Sequence, residues 1–386
     1  MGFFWLVLTL VAVVVSYLLK RSLMSAGRSD TSRPVKIVSM SAPGGARQAS
    51  GSGAAPPRAR AKGFQEDLTF GDPTARRLRS ALVGGDWSST HAELEACRDW
   101  GDRAFLVEAL AEHEVFAGRE ALFEGWQKAR PGSGLPWLLR GRWRIAAAWK
   151  ARGSGQAASV TQEGWKQFFR LLSEAESDLQ AAAAREPDDP TPWAALLVTA
   201  RGLQKSREEE QAVFDEVRQR DPAHFGACRS MLRARCAKWG GSHQAMFAFA
   251  RESAAAAPEG SLLGALVPLA HAERYLWATG FADKAADDPE WFGKGDRYFR
   301  DPAVQRDLVQ AWERSFGSPS FREVKSAPEG WNAFAFAFHL AGDQARARVA
   351  LERTDKKITA TPWTWLGKDP LAAVQAARAA CGLPAL

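Results

Sequence analysis

The sequence predicts an all-α protein: an array of helix hairpins that follows a membrane anchor and a flexible tether. Three observations carry that expectation. Between Asp221 and Ala278, three helix-length apolar patterns are separated by two short breakers, Gly240-Gly241-Ser242 and Pro258-Glu259-Gly260-Ser261, with no strand signal between them. Hydrophobic residues make up 46% and charged residues 25%, the proportions of a folded globular chain. Pro187, Pro222 and Pro258 recur 35 and 36 residues apart, close to the period of stacked two-helix units.

Taken in order, the chain begins with an apolar run from Phe3 to Leu19, interrupted only by Thr9, Ser16 and Tyr17. At about 1.5 Å per residue, a helix of this length just crosses about 30 Å of hydrocarbon. No charge precedes the run and Lys20-Arg21 follow it, so an uncleaved single-pass anchor (residues 1–19) is expected rather than a secretory signal. The basic residues on its C-terminal side place the bulk of the chain in the cytoplasm. Gly2 does not make a myristoylation site, because Leu6 stands where Ser or Thr is needed. Residues 20–62 are rich in Ser, Gly, Ala, Pro and Arg, bury too little apolar surface to order, and read as a flexible basic linker.

Residues 63–386 read as helix after helix. Asp72-Pro73 opens the first and Gly84-Gly85 close it; Ser88 to Asp99, Asp102 to Ala117 and Arg119 to Lys128 follow, with Gly101 and Gly118 as punctuation. Pro136 to Ala151 and Thr161 to Arg185 are longer, and Pro190 to Arg201 pairs with Arg207 to Arg220. Phe225, Cys228, Leu232, Cys236 and Trp239 fall at three- and four-residue steps, so they are expected on one face of a single helix. Gly240-Gly241 end it, Ser242 caps the next, and Met246, Phe247, Ala250, Ala254 and Ala257 form its apolar stripe. Phe281 to Arg300 is less regular, Asp301-Pro302 opens a helix to about Ser315, and Trp331 to Ala341, Gln344 to Arg353 and Pro370 to Ala380 finish the chain. Phe334 to Phe338 alternates strictly, which is also a strand pattern; helix is expected because Gly342 and an amphipathic segment follow at hairpin distance.

Trp331, Phe334, Ala335, Phe338, Ala347 and Leu351 match the spacing of the tetratricopeptide motif, with Gly342-Asp343 at the turn. Trp137 with Gly141 and Trp193 with Leu196 reproduce its opening, whereas Glu209 stands where the Trp193 unit wants a small residue. The chain therefore resembles a degenerate tetratricopeptide-type protein over roughly residues 70–380. More narrowly, it is similar to a bacterial family of unknown function through Gly85-Asp86-Trp87, Trp137-Leu138-Leu139-Arg140-Gly141, Lys238-Trp239-Gly240-Gly241-Ser242 and Phe249-Ala250-Arg251. The resemblance implies a right-handed α-solenoid and brings no known active site.

A net charge of +7 invites a nucleic-acid reading, but nine of the 51 Lys and Arg and only one of the 44 Asp and Glu lie in residues 20–62. The remaining 42 basic and 43 acidic residues leave the helical part balanced, so no nucleic-acid partner is expected. Sixteen Trp against three Tyr fit large packing anchors between helices better than a ligand platform. Four cysteines without a C-x-x-C pair fit buried free thiols in a reducing compartment.

His224, Cys228, Cys236 and His243 form the one soft-ligand grouping, but Cys228 and Cys236 are eight apart where structural zinc gathers cysteines at two to four. No phosphate-binding loop, nucleophile elbow or H-E-x-x-H zinc arrangement is present, and no cofactor is expected. His271 and Glu273, two apart on a helix, point to different sides. Arg207-Glu208-Glu209-Glu210 reads as a solvated helix face. Lys238, Trp239 and Arg251 admit two readings: Trp239 seals the hairpin while the cations neutralise helix C-termini, or the three frame a groove in which Trp239 packs an apolar anchor and the cations hold a partner's carboxylate. The leading functional expectation is a membrane-anchored scaffold for a protein or peptide partner, touching the membrane through residues 3–19. The alternatives are an enzyme or regulatory subunit with a site between hairpins around His243, His271 or Glu273, and a lipid-surface or envelope-assembly factor acting through the basic linker.

Overall fold

The computed structural model describes residues 64, 66–153, 160–280, 295–367 and 369–386. The chain divides into two units, Met1–Ala49 and Ser50–Leu386, and every described residue belongs to the second. The anchor and linker expected over residues 1–62 lie outside the described residues, as does most of the irregular stretch expected after Phe281. No helix among the described residues is long and apolar enough to cross a membrane.

What is described is all helix and turn, with no strand. In chain order the helices are α1 (Pro73–Val83), α2 (Ser88–Ala96), α3 (Trp100–Leu110), α4 (His113–Phe116), α5 (Glu120–Ala129), α6 (Leu135–Arg152), α7 (Gln162–Arg185), α8 (Thr191–Gly202) and α9 (Arg207–Arg220). There follow α10 (Phe225–Ala234), α11 (His243–Ala256), α12 (Leu266–Gly280), α13 (Gly295–Tyr298), α14 (Pro302–Arg314), α15 (Ala327–Ala341), α16 (Gln344–Thr354) and α17 (Pro370–Ala380). Short 3-10 turns at Ala237–Trp239, Leu262–Ala265 and Trp363–Leu366 link some of them.

Local chemistry sets most of these boundaries. Asp72, Ser206, Ser242, Asp301, Asp343 and Asp369 each accept a backbone N–H two or three residues on, satisfying donors that the first turn leaves unpaired. Glu209 reaches back to the Ser206 N–H, so two members of the acidic run complete a cap and a buried pair: Glu210 is buried and bound by Arg207 at 2.7 Å. Arg207, Glu208 and Glu209 are exposed, as a solvated face requires; Glu210 alone departs from that reading.

Neighbouring helices pack in pairs, most extensively α6 with α7 and α15 with α16. Gly141 makes the first pairing possible: a Cβ there would fall 2.8 Å from Leu179 Cγ and 3.3 Å from the Ala175 carbonyl on α7. In the second pair Trp331, Phe334, Ala335, Phe338, Ala347 and Leu351 are all buried, and Gly342 takes the left-handed conformation (φ 81°) between the helices. Residues 330–338 are buried without exception, so the Phe–Ala alternation carries no facial information; a helix buried all round has no polar face to reveal its period. One core runs from α1 to α8 and a second from α8 to α17, meeting where Leu196 faces the first, Leu197 the second and Trp193 touches both.

Three expected boundaries move. The helix begun at Phe225 stops at Ala234, so Cys236 and Trp239 leave its face and enter a separate turn. Two glycines let the chain fold back on its own last turn: Ser242 N–H donates to the Arg235 carbonyl, and a Cβ on Gly241 would meet that oxygen at 2.0 Å. The single helix expected over Asp102–Ala117 begins two residues earlier, because Asp99 caps it, and breaks after Leu110. At that break Arg79 crosses from α1 to within 3.5 Å of the Ala109 carbonyl and 2.5 Å of Glu112. Finally, α15 starts four residues before Trp331, with Pro328 in its first turn.

Long-range contacts bring the two ends of the array together. Phe64 N–H donates to Asp369 at 3.2 Å, and Lys325 lies 2.7 Å from Asp72, the cap of α1. Behind this seam a row of charges joins distant helices: Arg142 of α6 sits 3.1 Å from Glu108 of α3, while Arg229 of α10 bridges Glu108 and Glu329 of α15. Burial opposes the Glu108 charge, but Arg142, Arg229 and Arg233 together outweigh it and hold its pKa below the usual glutamate value.

Candidate functional site

A cleft of about 540 Å³ lies at the seam. Its walls come from residues 69–73 before α1, from Asp99, Asp102 and Phe105 at the start of α3, and from Glu323–Lys325, Pro328 and Lys357 at the other end of the chain. The floor is apolar: the Phe70 and Phe105 rings stack at 6.3 Å, and the Lys325 ammonium lies 6.0 Å above the Phe105 ring. Phe70 reaches that ring only by adopting φ 45°, a conformation that costs a bulky residue about 1–2 kcal/mol. The turn holding it is fixed by Asp67, which accepts from both the Thr69 N–H and hydroxyl, and by the Asp72 N–H, which donates to the Thr69 carbonyl.

The rim is acidic. Four carboxylates, Asp72, Asp99, Asp102 and Glu323, face two ammonium groups, Lys325 and Lys357. Burial opposes the Lys325 charge, but the Asp72 hydrogen bond outweighs it and raises the pKa. That pair is satisfied internally. Asp102 is different: burial, with the repulsion of Asp99 and Asp72, pushes its carboxyl above the ordinary aspartate value despite Lys325 nearby. Burial raises the thiol pKa of Cys97, close by. An apolar floor thus lies under a rim that carries more carboxylates than ammonium groups.

The three residues expected to frame a groove make contacts that do not overlap. Lys238 Nζ lies 2.5 Å from the buried Glu273 carboxylate and 5.3 Å over the Trp365 ring. Trp239 packs edge-on against Trp149 at 6.0 Å, with the Arg201 guanidinium 5.4 Å over its face. Arg251 grips Asp307 with two nitrogens at 2.8–3.2 Å and covers the Phe247 ring. Both cations are thus engaged by carboxylates of this chain.

The soft-ligand grouping is also dispersed. His224 caps α10 through Nδ1, which accepts the Ala227 N–H. Cys236 Sγ lies 3.4 Å from the Leu232 carbonyl and 3.3 Å from Met246 Sδ, and burial pushes the Cys228 and Cys236 thiols up to about 12. His243 meets the edge of Trp277 beside a cavity of about 10 Å³, room for about one water, that Cys236, Lys238 and Glu273 also line. Among the described residues no three His, Cys, Asp or Glu side chains converge as metal ligands.

His271 and Glu273 point to different sides, as their spacing demands. His271 is buried between Asp307 (2.9 Å) and the Tyr298 hydroxyl (2.7 Å). A carboxylate only accepts, so Nε2–H donates to Asp307 and the neutral ring takes the Tyr298 O–H at Nδ1. The chain Arg251–Asp307–His271–Tyr298 ties together α11, α14, α12 and α13. Burial lowers the imidazole pKa of His271, and likewise of His91, His224 and His339. Below about pH 6.5 the unfolded chain therefore binds protons that the folded chain refuses, and stability present above that pH is lost as the pH falls. The urea midpoint is expected to be clearly higher at about pH 8 than at about pH 5.5; equal midpoints would show that these rings titrate normally.

Sequence reasoning did not find the cleft. Its members come from four stretches up to about 290 residues apart, which nothing in the local sequence links. The chain matches no family model, no curated protein and no solved structure.

Proposed function

We propose that this protein is a membrane-anchored scaffold whose helix pairs form a right-handed, tetratricopeptide-like array and whose seam cleft holds an extended, basic segment of a protein partner. The cleft is the observation that carries this reading. It is large enough for several side chains, it combines stacked rings with carboxylates that outnumber the ammonium groups beside them, and both ends of the array build it. The Phe3–Leu19 run supports an anchor, with the helices on the cytoplasmic side of the membrane. Anchoring raises the local concentration of whatever the cleft retains.

The test is affinity purification of the full chain against Asp99→Asn/Asp102→Asn. Asn still caps α3, so the denaturation midpoint should stay within about 0.5 kcal/mol. Loss of two rim charges should cut partner recovery by about tenfold. Undiminished recovery would remove the cleft from the function. A parallel sample lacking residues 1–62 separates partners held by the helices, which are retained, from partners held by the membrane, which are lost.

A further inference from the structure

The cleft sits beside the point where a strongly basic segment of the same chain joins the array. Residues 69–73 form one wall, and Phe64, five residues earlier, is fastened to Asp369. Just before it runs Pro56-Pro57-Arg58-Ala59-Arg60-Ala61-Lys62. In an extended backbone alternate residues share a side, so Arg58, Arg60 and Lys62 present three cations in a row.

We propose that residues 56–62 dock in the seam cleft of their own chain, with their cations against Asp99, Asp102 and Glu323 and their small residues over the Phe70–Phe105 floor. Charge and reach both support it. The rim carries four carboxylates against two ammonium groups; with Asp72 taken by Lys325, three acids and the Lys357 ammonium remain, a net excess of two negative charges that the incoming cations answer. Arg58 lies six residues from the fixed Phe64, a span of at most about 20 Å, so the segment can fold back along the wall that follows it. A short link gives an effective concentration of about millimolar, enough for a weak ionic ligand to occupy the cleft until a tighter basic partner, or a surface that competes for the cations, displaces it. The segment would thus act as a built-in competitor, which is a regulation of the site proposed above and rests on that reading.

The experiment uses the full chain in phosphatidylcholine vesicles and a carbodiimide, which joins an amine to a carboxylate only in direct contact. Peptide mapping should find Lys62 joined to Asp99, Asp102 or Glu323, and mixing isotope-labelled with unlabelled protein should show both halves from one chain. Arg58→Gln/Arg60→Gln leaves the helices untouched and should lower that coupling by about tenfold. Salt at about 1 M, where the Debye length is about 3 Å, should do the same. No coupling at these carboxylates, coupling chiefly elsewhere or between chains, or a yield indifferent to Arg58 and Arg60 would overturn the proposal. The two readings fail separately. Coupling that meets these criteria while partner recovery ignores Asp99 and Asp102 leaves docking intact and sinks the scaffold site; the reverse result sinks only the docking.

Discussion

Asn332→Ala is expected to destabilise the protein by about 4 kcal/mol, on the basis of about 1–3 kcal/mol for each buried group left without a partner. Asn332 lies in the middle of α15, wholly buried among aromatic and alanine side chains. Its amide is fully used. Nδ2 donates to the carbonyls of Pro328 (2.7 Å) and Lys357 (2.8 Å), and Oδ1 accepts from the Thr359 N–H (3.3 Å) and the Trp363 indole N–H (2.8 Å). Truncation strands two donors and empties a side-chain volume in one step. The denaturation midpoint reads the loss, and two further variants grade it. Trp363→Phe removes one donor together with its need for a partner, and should cost about 1 kcal/mol through that bond. Asn332→Asp keeps the acceptors but turns an oxygen towards two carbonyls, so it should stay well below wild type. A loss under about 1 kcal/mol for Asn332→Ala would show that the loop from Lys357 to Trp363 is not fastened to α15 as described.

Trp312→Ala should cost about 3–5 kcal/mol, the range for deleting a large ring from a packed core. Trp312 meets Trp331, Phe334 and Phe338 near edge-on, with centroids 5.8, 5.2 and 5.5 Å away. It is therefore the aromatic contact between α14 and α15, which Gln305 joins separately through the Ala341 carbonyl. Gly317 closes over it: its N–H donates to the Trp312 carbonyl, and a Cβ there would fall 2.2 Å from the indole nitrogen. The backbone follows the ring so closely that the cavity left by alanine cannot collapse readily, which places the expected cost in the upper half of that range. Trp312→Phe, which keeps an aromatic edge in the cluster, should lose less than half as much. Equal losses for the two would mean that shape, rather than ring burial, governs the site.

What could be read from the sequence was what acts within a few residues. Asp72, Ser242, Asp301 and Asp369 announce their helices because a cap bonds a neighbour two or three positions on. Gly342 is legible for the same reason, and α17 has the bounds its pattern gives. Trp239 was misplaced because a periodic apolar pattern continued past a backbone that had already turned, and periodicity does not sense that turn. Lys238 and Arg251 looked available because the acids that engage them, Glu273 and Asp307, lie 35 and 56 residues further along the chain. The cleft was out of reach for the same reason. Asp72 and Lys325 are ordinary surface residues until 253 positions of intervening chain bring them to 2.7 Å.

The seam has a consequence for the protein's birth. Asp72 leaves the ribosome long before Lys325 is made; at about 5–20 residues per second the 253 residues between them take about 13–50 seconds. For all that time the Phe70 turn can meet Phe105 and α1 its neighbours in the first core, but Asp72 lacks its lysine and the cleft lacks the wall that Glu323–Lys325 and Pro328 supply. A nascent chain stalled before Glu323 would carry the cleft with one wall missing, and proteases should cut near the Phe70 turn faster in it than in the full chain.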